Sequence, residues 1–221
     1  MANWSNNIYL HFINSKAMII KIYPDNPSPQ HLQLVNECLL DGGVIIYPTD
    51  TVYAFGCHVG KNKAIERISQ LKGIKKKDAN FSFVFNELSQ LNNYTKNFDK
   101  SIFKLMKRNL PGPFTFILNA NNSVPKIFSN KKKTIGIRIP NHPVALAIVD
   151  LLGQPLVSSS IKDNDEILKY NTDAEVLHDE FGDQVDMVVD GGYGDNQVST
   201  IVNCIDGDIE IIREGKGILE W

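Results

Sequence analysis

Sulfur is scarce in this chain. Its three cysteines, Cys38, Cys57 and Cys204, include no Cys-x-x-Cys pair and cannot all be paired with one another. A disulfide framework is not expected, and a reducing, cytoplasmic setting is the simpler reading. Long apolar runs are missing as well, since no stretch reaches the roughly 18 residues of a membrane-spanning helix. The N-terminus shows no basic stretch leading into an apolar one, so no signal peptide is expected. The five histidines, His11, His31, His58, His142 and His178, have no ligand spacing with cysteine or carboxylate, and no structural zinc is expected. Nor is there an excess of either charge. With 23 basic against 25 acidic residues, the net charge of −2 argues against a protein whose main task is coating nucleic acid, while a local basic site stays open.

The familiar nucleotide and nucleophile signatures are absent too. There is no GxxxxGK[ST] loop, no GxGxxG after a strand and no G-x-S-x-G elbow. Any nucleotide site must be assembled from dispersed side chains.

What is present is an ordinary globular composition, 43% hydrophobic and 22% charged over 221 residues, enough for one substantial core. Residues 1–17 read as a polar, Asn-rich, loosely attached leader. Residues 18–221 read as one domain without repeat, linker or break in composition. Strands are expected at 19–23, 44–47, 81–85, 114–118, 134–139, 156–159, 187–189, 200–202 and 209–212. Ser28-Pro29 opens a helix carrying Leu32, Val35, Leu39 and Leu40, closed by Asp41-Gly42-Gly43. Further helices fit 64–71, the Phe103, Leu105 and Met106 segment, and 143–152 closed by Gly153. Thr172 and Glu175 have capping-box spacing for a helix to about 181. This irregular alternation, with adjacent strand pairs, points to an α+β (mixed α/β) fold around a mixed sheet.

The densest motif is 47–57, Tyr-Pro-Thr-Asp-Thr-Val-Tyr-Ala-Phe-Gly-Cys. It follows the buried-looking run Val44-Ile45-Ile46-Tyr47, which Pro48 stops. Strand ends are where open sheets present ligand-binding loops, so these polar residues are candidates for substrate contacts. They would also serve as a turn in which Thr49 and Asp50 bond the local backbone.

Phosphate chemistry asks for cations and hydroxyl or backbone donors converging on oxygens. Lys72 follows a helix, Arg138 lies within Ile137-Arg138-Ile139-Pro140, and Arg213 follows Ile211-Ile212. An arginine among apolar strand residues needs a partner for its charge, either a ligand anion or a structural carboxylate. Ser158-Ser159-Ser160 and Ser199-Thr200 read as oxygen-binding donors or as plain turn residues. The lysine runs 75–77 and 131–133 read as solvated loops or as a basic rim for a polyanion. Asp163-Asn164-Asp165-Glu166 reads as loop, with oxygens that could hold a cation.

Taken in order, several segments resemble the YrdC/TsaC family of threonylcarbamoyl-adenylate synthases from about residue 18 onward, and within it the YciO branch. They are Gly43-Val44-Ile45-Ile46-Tyr47-Pro48-Thr49-Asp50, Tyr53-Ala54-Phe55-Gly56-Cys57, Pro111-Gly112-Pro113-Phe114-Thr115, Gly136-Ile137-Arg138-Ile139-Pro140, Ser199-Thr200-Ile201-Val202 and Arg213-Glu214-Gly215. The resemblance implies a three-layer YrdC/RibB-like fold with a twisted mixed parallel/antiparallel sheet and a concave, basic face. It implies ATP as substrate with Mg²⁺ on its phosphates. Threonine and bicarbonate would give a carbamate that attacks the α-phosphate and releases pyrophosphate, the product feeding threonylcarbamoyl modification of tRNA.

By position, the resemblance puts Thr51 and Tyr53 on the substrate loop and Lys72 at the start of the family's Lys-x-Arg motif. It puts Thr115, Arg138, Ser160, Ser199 and Arg213 in the nucleotide and threonine site, with Lys72, Arg138 and Arg213 neutralising charge. Three positions depart from the synthases: Ile74 replaces the arginine of Lys-x-Arg, Lys162 the asparagine of Ser-x-Asn, and Ala54 the glycine of Tyr-Gly. The YciO branch shows comparable changes. The alternative is therefore a YciO-type, RNA- or ribosome-associated binding protein taking tRNA or double-stranded RNA, without synthase activity.

Overall fold

The computed structural model describes residues 16–74, 81–125, 128, 133–161, 172–205 and 207–221. Strand β1 (Met18–Lys21) leads into helix α1 (Pro29–Leu40), where the Ser28 side chain accepts the His31 N–H and Pro29 fills the first turn. Then follow β2 (Val44–Tyr47), β3 (Ala54–His58), α2 (Asn62–Leu71), β4 (Ser82–Val84) and a 3₁₀ helix over Leu88–Asn93. The middle of the chain gives α3 (Lys100–Asn109), β5 (Phe114–Asn119), β6 (Thr134–Arg138), α4 (Pro143–Leu152) and β7 (Leu156–Ser160). Gly153 closes α4 in the left-handed region, at φ +66°, where a side chain would be strained. Helix α5 (Ala174–Phe181), β8 (Met187–Asp190), β9 (Thr200–Asn203) and β10 (Glu210–Arg213) complete the order.

The ten strands form one mixed sheet in the order β1-β8-β2-β3-β7-β4-β6-β5-β9-β10. Neighbours β1–β8, β8–β2, β4–β6 and β5–β9 are parallel, and the others antiparallel. Side chains alternate across each strand, so the sheet feeds two cores. The larger collects Phe55, Phe83, Phe116, Ile137 and Val202 from the strands and packs them against α2, α3 and α5. The smaller joins Ile45, Tyr47, Ala54, Val84, Leu156 and Val189 to α1 and α4. The result is the expected three-layer arrangement.

Several local expectations need correction. Residues 54–58 are a central strand with every position buried, not the continuation of a turn. A fully buried strand shows no polar alternation, and Pro48 with the polar residues after it masked its start. In α3 the packed face is Ile102, Leu105 and Met106, whereas Phe103 is 42% exposed. The N-cap of α5 is Asp173, which accepts the Glu175 N–H, rather than Thr172. Lys16 and Ala17, assigned to the loose leader, are docked. The Ala17 N–H reaches Gly182 O at 2.6 Å, His178 Nε2 lies 2.7 Å from Ala17 O, and Lys16 pairs with Asp179. The rest of that leader (1–15), the lysines at 75–77, 131 and 132, Lys162 and the acidic run 163–166 lie outside the described residues. Among the described residues no helix is long and apolar enough to cross a membrane.

Candidate functional site

No residue of β5, β6, β9 or β10 belongs to the smaller core. On that side of the sheet β5, β6 and β9 instead carry Arg138, Gly136, Thr115 and Ile201, alternating with residues turned toward the larger core, with Ser199 just before β9 and Arg213 brought opposite Ile201 by a register shift in β10. A Cβ on Gly136 would lie 3.1 Å from Thr115 Cγ2 and 3.3 Å from Ser82 Cβ, so the glycine keeps this floor low. Ile137 pairs with Phe116, Thr115 with Ile201, and Arg213 with Ile201. Continuing that register by one residue sets Arg138 beside Thr115. One row therefore runs Arg138, Thr115, Ile201, Arg213 across four strands. At a strand spacing of about 4.8 Å, the two arginine backbones stand about 14 Å apart, a span their long side chains can narrow.

Arg138 is buried and finds its partner in the 48–53 loop. Its Nη2 donates to Asp50 Oδ1 at 2.9 Å and to Thr51 Oγ1 at 3.0 Å. Both side chains of the ion pair are only 7% exposed. The other carboxylate oxygen of Asp50 accepts the Asn141 N–H at 2.9 Å. Thr49 Oγ1 donates to Val52 O at 2.8 Å and accepts the Thr51 N–H at 3.1 Å. Its proton is thus committed, so the 3.0 Å contact between the two threonine hydroxyls has Thr51 as donor. The turn reading holds for Thr49 but not for Asp50, whose carboxylate bonds Arg138 and the backbone of Asn141 instead, as the ion-pair reading of Arg138 requires. One atom is left unsatisfied. Arg138 Nε is buried without a hydrogen-bond partner. Nearby, burial lowers the His142 imidazole below its usual range against the raising influence of Asp50.

A second group gathers at Ser199. Its Oγ lies 2.8 Å from Thr115 Oγ1, and its carbonyl accepts from Arg213 Nη2 at 2.8 Å and Nε at 3.2 Å. Ser160 ends β7 on the same side as Ser158, opposite Val157. Beneath, Tyr47 donates to Ser158 Oγ at 2.7 Å, and burial pushes its phenol up to about 12.

Two expected residues stand apart. Lys72 caps α2 in the larger-core layer and donates to Ser159 Oγ and to the Ser160 carbonyl, both at 2.8 Å. Ser159 shares its face with Val157, so Lys72 approaches the end of β7 from the side opposite Arg138. Tyr53 is enclosed, its hydroxyl donating to Gly192 O at 2.6 Å and accepting the Gly191 N–H at 3.2 Å. It braces the loop behind β8 rather than joining the arginine row.

Residues that the sequence did not single out complete the surroundings. Lys216 Nζ reaches the Asp50 carbonyl at 2.7 Å and Asp195 Oδ2 at 2.7 Å. Burial opposes ionisation of Asp195, but the bonds from Lys216 and the Gln197 N–H outweigh it and hold the carboxyl below its ordinary range. A cleft of about 410 Å³ opens there, lined by Asp50, Thr172, Tyr193, Asn196 and Lys216 among others. The only sequence sign of Lys216 is its place one residue beyond Arg213-Glu214-Gly215.

This mixed sheet, helix-covered on one half and bearing cations and hydroxyls on the other, is the frame of a known class. The family model for Sua5/YciO/YrdC proteins, described as telomere recombination, matches residues 37–215. YciO of Escherichia coli K12 is 37% identical over 198 residues, covering 89% of this chain and 94% of YciO. The E. coli YciO crystal structure aligns with a TM-score of 0.85 over 91% of this chain and 97% of its own. Threonylcarbamoyl-AMP synthase of Coxiella burnetii is 32% identical over 185 residues, 81% of this chain and 97% of the synthase. P. abyssi Sua5 complexed with L-threonine, at 23% identity, shares the fold with a TM-score of 0.75 over 85% of this chain and 54% of its own. The chain belongs to the Sua5/YciO/YrdC family.

Proposed function

We propose that the protein binds ATP and threonine and forms threonylcarbamoyl-AMP, or a related adenylate, from threonine, bicarbonate and ATP for tRNA modification. The observation that carries this reading is Arg138, a guanidinium 6% exposed whose Nε has no acceptor although Nη2 is fully engaged. A buried donor left unpaired costs about 1–3 kcal/mol, and a ligand oxygen would remove that cost. The kinship with threonylcarbamoyl-AMP synthases supports the same reading.

In the reaction, the threonine amine and bicarbonate give a carbamate with loss of water. A carbamate oxygen then attacks the α-phosphorus of ATP, and pyrophosphate leaves. Such a site gathers a carboxylate, a carbamate and a triphosphate, so several cations must offset their repulsion. Arg213 supplies one on the row and Lys72 another from the opposite side at the end of β7, while Arg138, its charge already offset by Asp50, contributes a hydrogen-bond donor. The hydroxyls of Thr115, Ser160 and Ser199 orient oxygens, while Thr51 holds Arg138. Among the described residues no three His, Cys, Asp or Glu side chains cluster as a metal site, and both oxygens of Asp50 are engaged. Mg²⁺ on the triphosphate oxygens would offset part of the remaining charge.

A second reading, a YciO-type binding protein for tRNA or double-stranded RNA without synthase activity, is favoured by one observation. The cation of Lys72 is engaged with Ser159 and Ser160 from the side away from Arg138.

Pyrophosphate release from ATP, with threonine and bicarbonate omitted in turn, separates the two. Threonine-dependent release that drops at least a hundredfold in Lys72→Ala and Arg213→Ala is expected, about 2.7 kcal/mol of transition-state stabilisation. Release indifferent to threonine sinks the synthase. RNA binding with steep salt dependence, without nucleotide binding, establishes the second reading.

A further inference from the structure

The 410 Å³ cleft beside the arginine row has its own chemistry. We propose that it is a nucleobase subsite, with the Tyr193 ring as stacking platform and Asn196 and Thr172 reading the edge of the base. The proposal rests on the adenylate reading above and deepens it.

Three features carry it. First, Tyr193 is 84% exposed, yet the backbone that presents it is pinned. The Gly194 N–H reaches Thr172 O at 2.7 Å, the Asp195 N–H reaches Thr51 O at 3.1 Å, and Tyr53 holds Gly192 O. Any Cβ on Gly194 would lie 2.7 Å from the Tyr53 ring, so this close approach requires glycine. An exposed aromatic on a fixed loop is preorganised for a flat partner.

Second, the lining is close to neutral. Lys216 and Asp195 offset each other at 2.7 Å, and the Asp50 carboxylate is taken by Arg138 and Asn141. Such a lining favours an uncharged polar ring over a phosphate or a free cation. The amide of Asn196 and the hydroxyl of Thr172 supply both donor and acceptor for a base edge.

Third, the cleft and the arginine row share a wall. Asp50 lines the cleft and binds Arg138. A nucleotide lying across that wall places its base against Tyr193 and its phosphates toward the arginines. The base can arrive on a free nucleotide or on an unpaired RNA nucleotide.

The test titrates the full chain with adenosine, guanosine, ATP and a short unpaired oligoribonucleotide, following ligand resonances by NMR. Adenosine should bind. Tyr193→Ala should weaken it about tenfold, within the range for one stacked base, and Tyr193→Phe by less than about twofold. Asn196→Ala should narrow the difference between adenosine and guanosine. Arg213→Ala should weaken ATP and leave adenosine unchanged. Adenosine affinity unmoved by Tyr193→Ala, or binding of no nucleoside at all, overturns the proposal. Adenosine binding without ATP binding sinks the synthase reading and leaves the cleft assignment standing, whereas synthase activity with Tyr193→Ala silent does the reverse. An oligoribonucleotide that outcompetes ATP in a Tyr193-dependent way makes RNA the source of the base.

Discussion

Strands β3 and β5 belong to the same sheet but meet different surroundings. All five residues of β3 are buried, with Phe55 edge-on to Phe181 at 5.3 Å in the larger core and Ala54 in the smaller. Strand β5 buries Phe114, Phe116 and Leu118 in the larger core, but its other side holds Thr115 and Ile117, outside the smaller core. The difference follows from the reach of α1 and α4, whose contacts extend to Val84 and Leu156 and stop there. Past that line the sheet is free to carry arginines and hydroxyls. One half of the molecule is therefore organised by apolar burial on two faces, and the other by burial on one face and polar pairing on the second.

Substitution in the two halves should separate stability from binding. Phe55→Ala removes a fully buried ring between layers and should cost about 3–5 kcal/mol, read as a fall in the urea midpoint at unchanged slope. A loss below about 1 kcal/mol would erase the contrast. The boundary between the halves is the Arg138–Asp50 pair. Asp50→Ala leaves a buried guanidinium without its carboxylate and should cost about 3 kcal/mol. Adding Arg138→Met should restore most of it, because the uncompensated charge rather than the missing contact carries the penalty. Additive losses in the double variant would show that the pair is not coupled.

Legibility in the sequence divides along the same line. Helices α1 and α4 could be placed from Ser28-Pro29, the apolar spacing and Gly153, because those signals are local. Strand β3 is not legible because layers on both faces bury it, the larger core over Phe55 and Cys57 and the smaller over Ala54, so its residues show no alternation. Arg138 stood out as a charge in an apolar run, but its carboxylate lies 88 residues away in sequence and only the fold supplies it. The face reached by Lys72 is decided by strand alternation at Ser159 and Ser160, which spacing does not reveal. Tyr53, read as a substrate contact, supports the loop from behind. The cleft needs the C-terminal segment held against the sheet, through Thr200 to Gly217 O at 2.6 Å and Asn109 to both backbone groups of Glu220.

The smallest stability change should come from the polar half. Thr115→Val keeps the shape of the side chain and removes the hydroxyl that lies 2.8 Å from Ser199 Oγ. A single hydrogen bond of this kind contributes about 1 kcal/mol, so unfolding should shift by no more than that. Ligand affinity should respond more strongly. Thr115 stands between Arg138 and the strand facing Arg213, so losing its hydroxyl unties Ser199 where Arg213 is held. Under the proposed adenylate function, ATP binding should weaken about tenfold, equivalent to about 1.4 kcal/mol, while the urea midpoint moves less than in Phe55→Ala. A variant that lost stability like Phe55→Ala and bound ATP unchanged would make Thr115 a core residue, and the two halves of the sheet would then differ in composition but not in role.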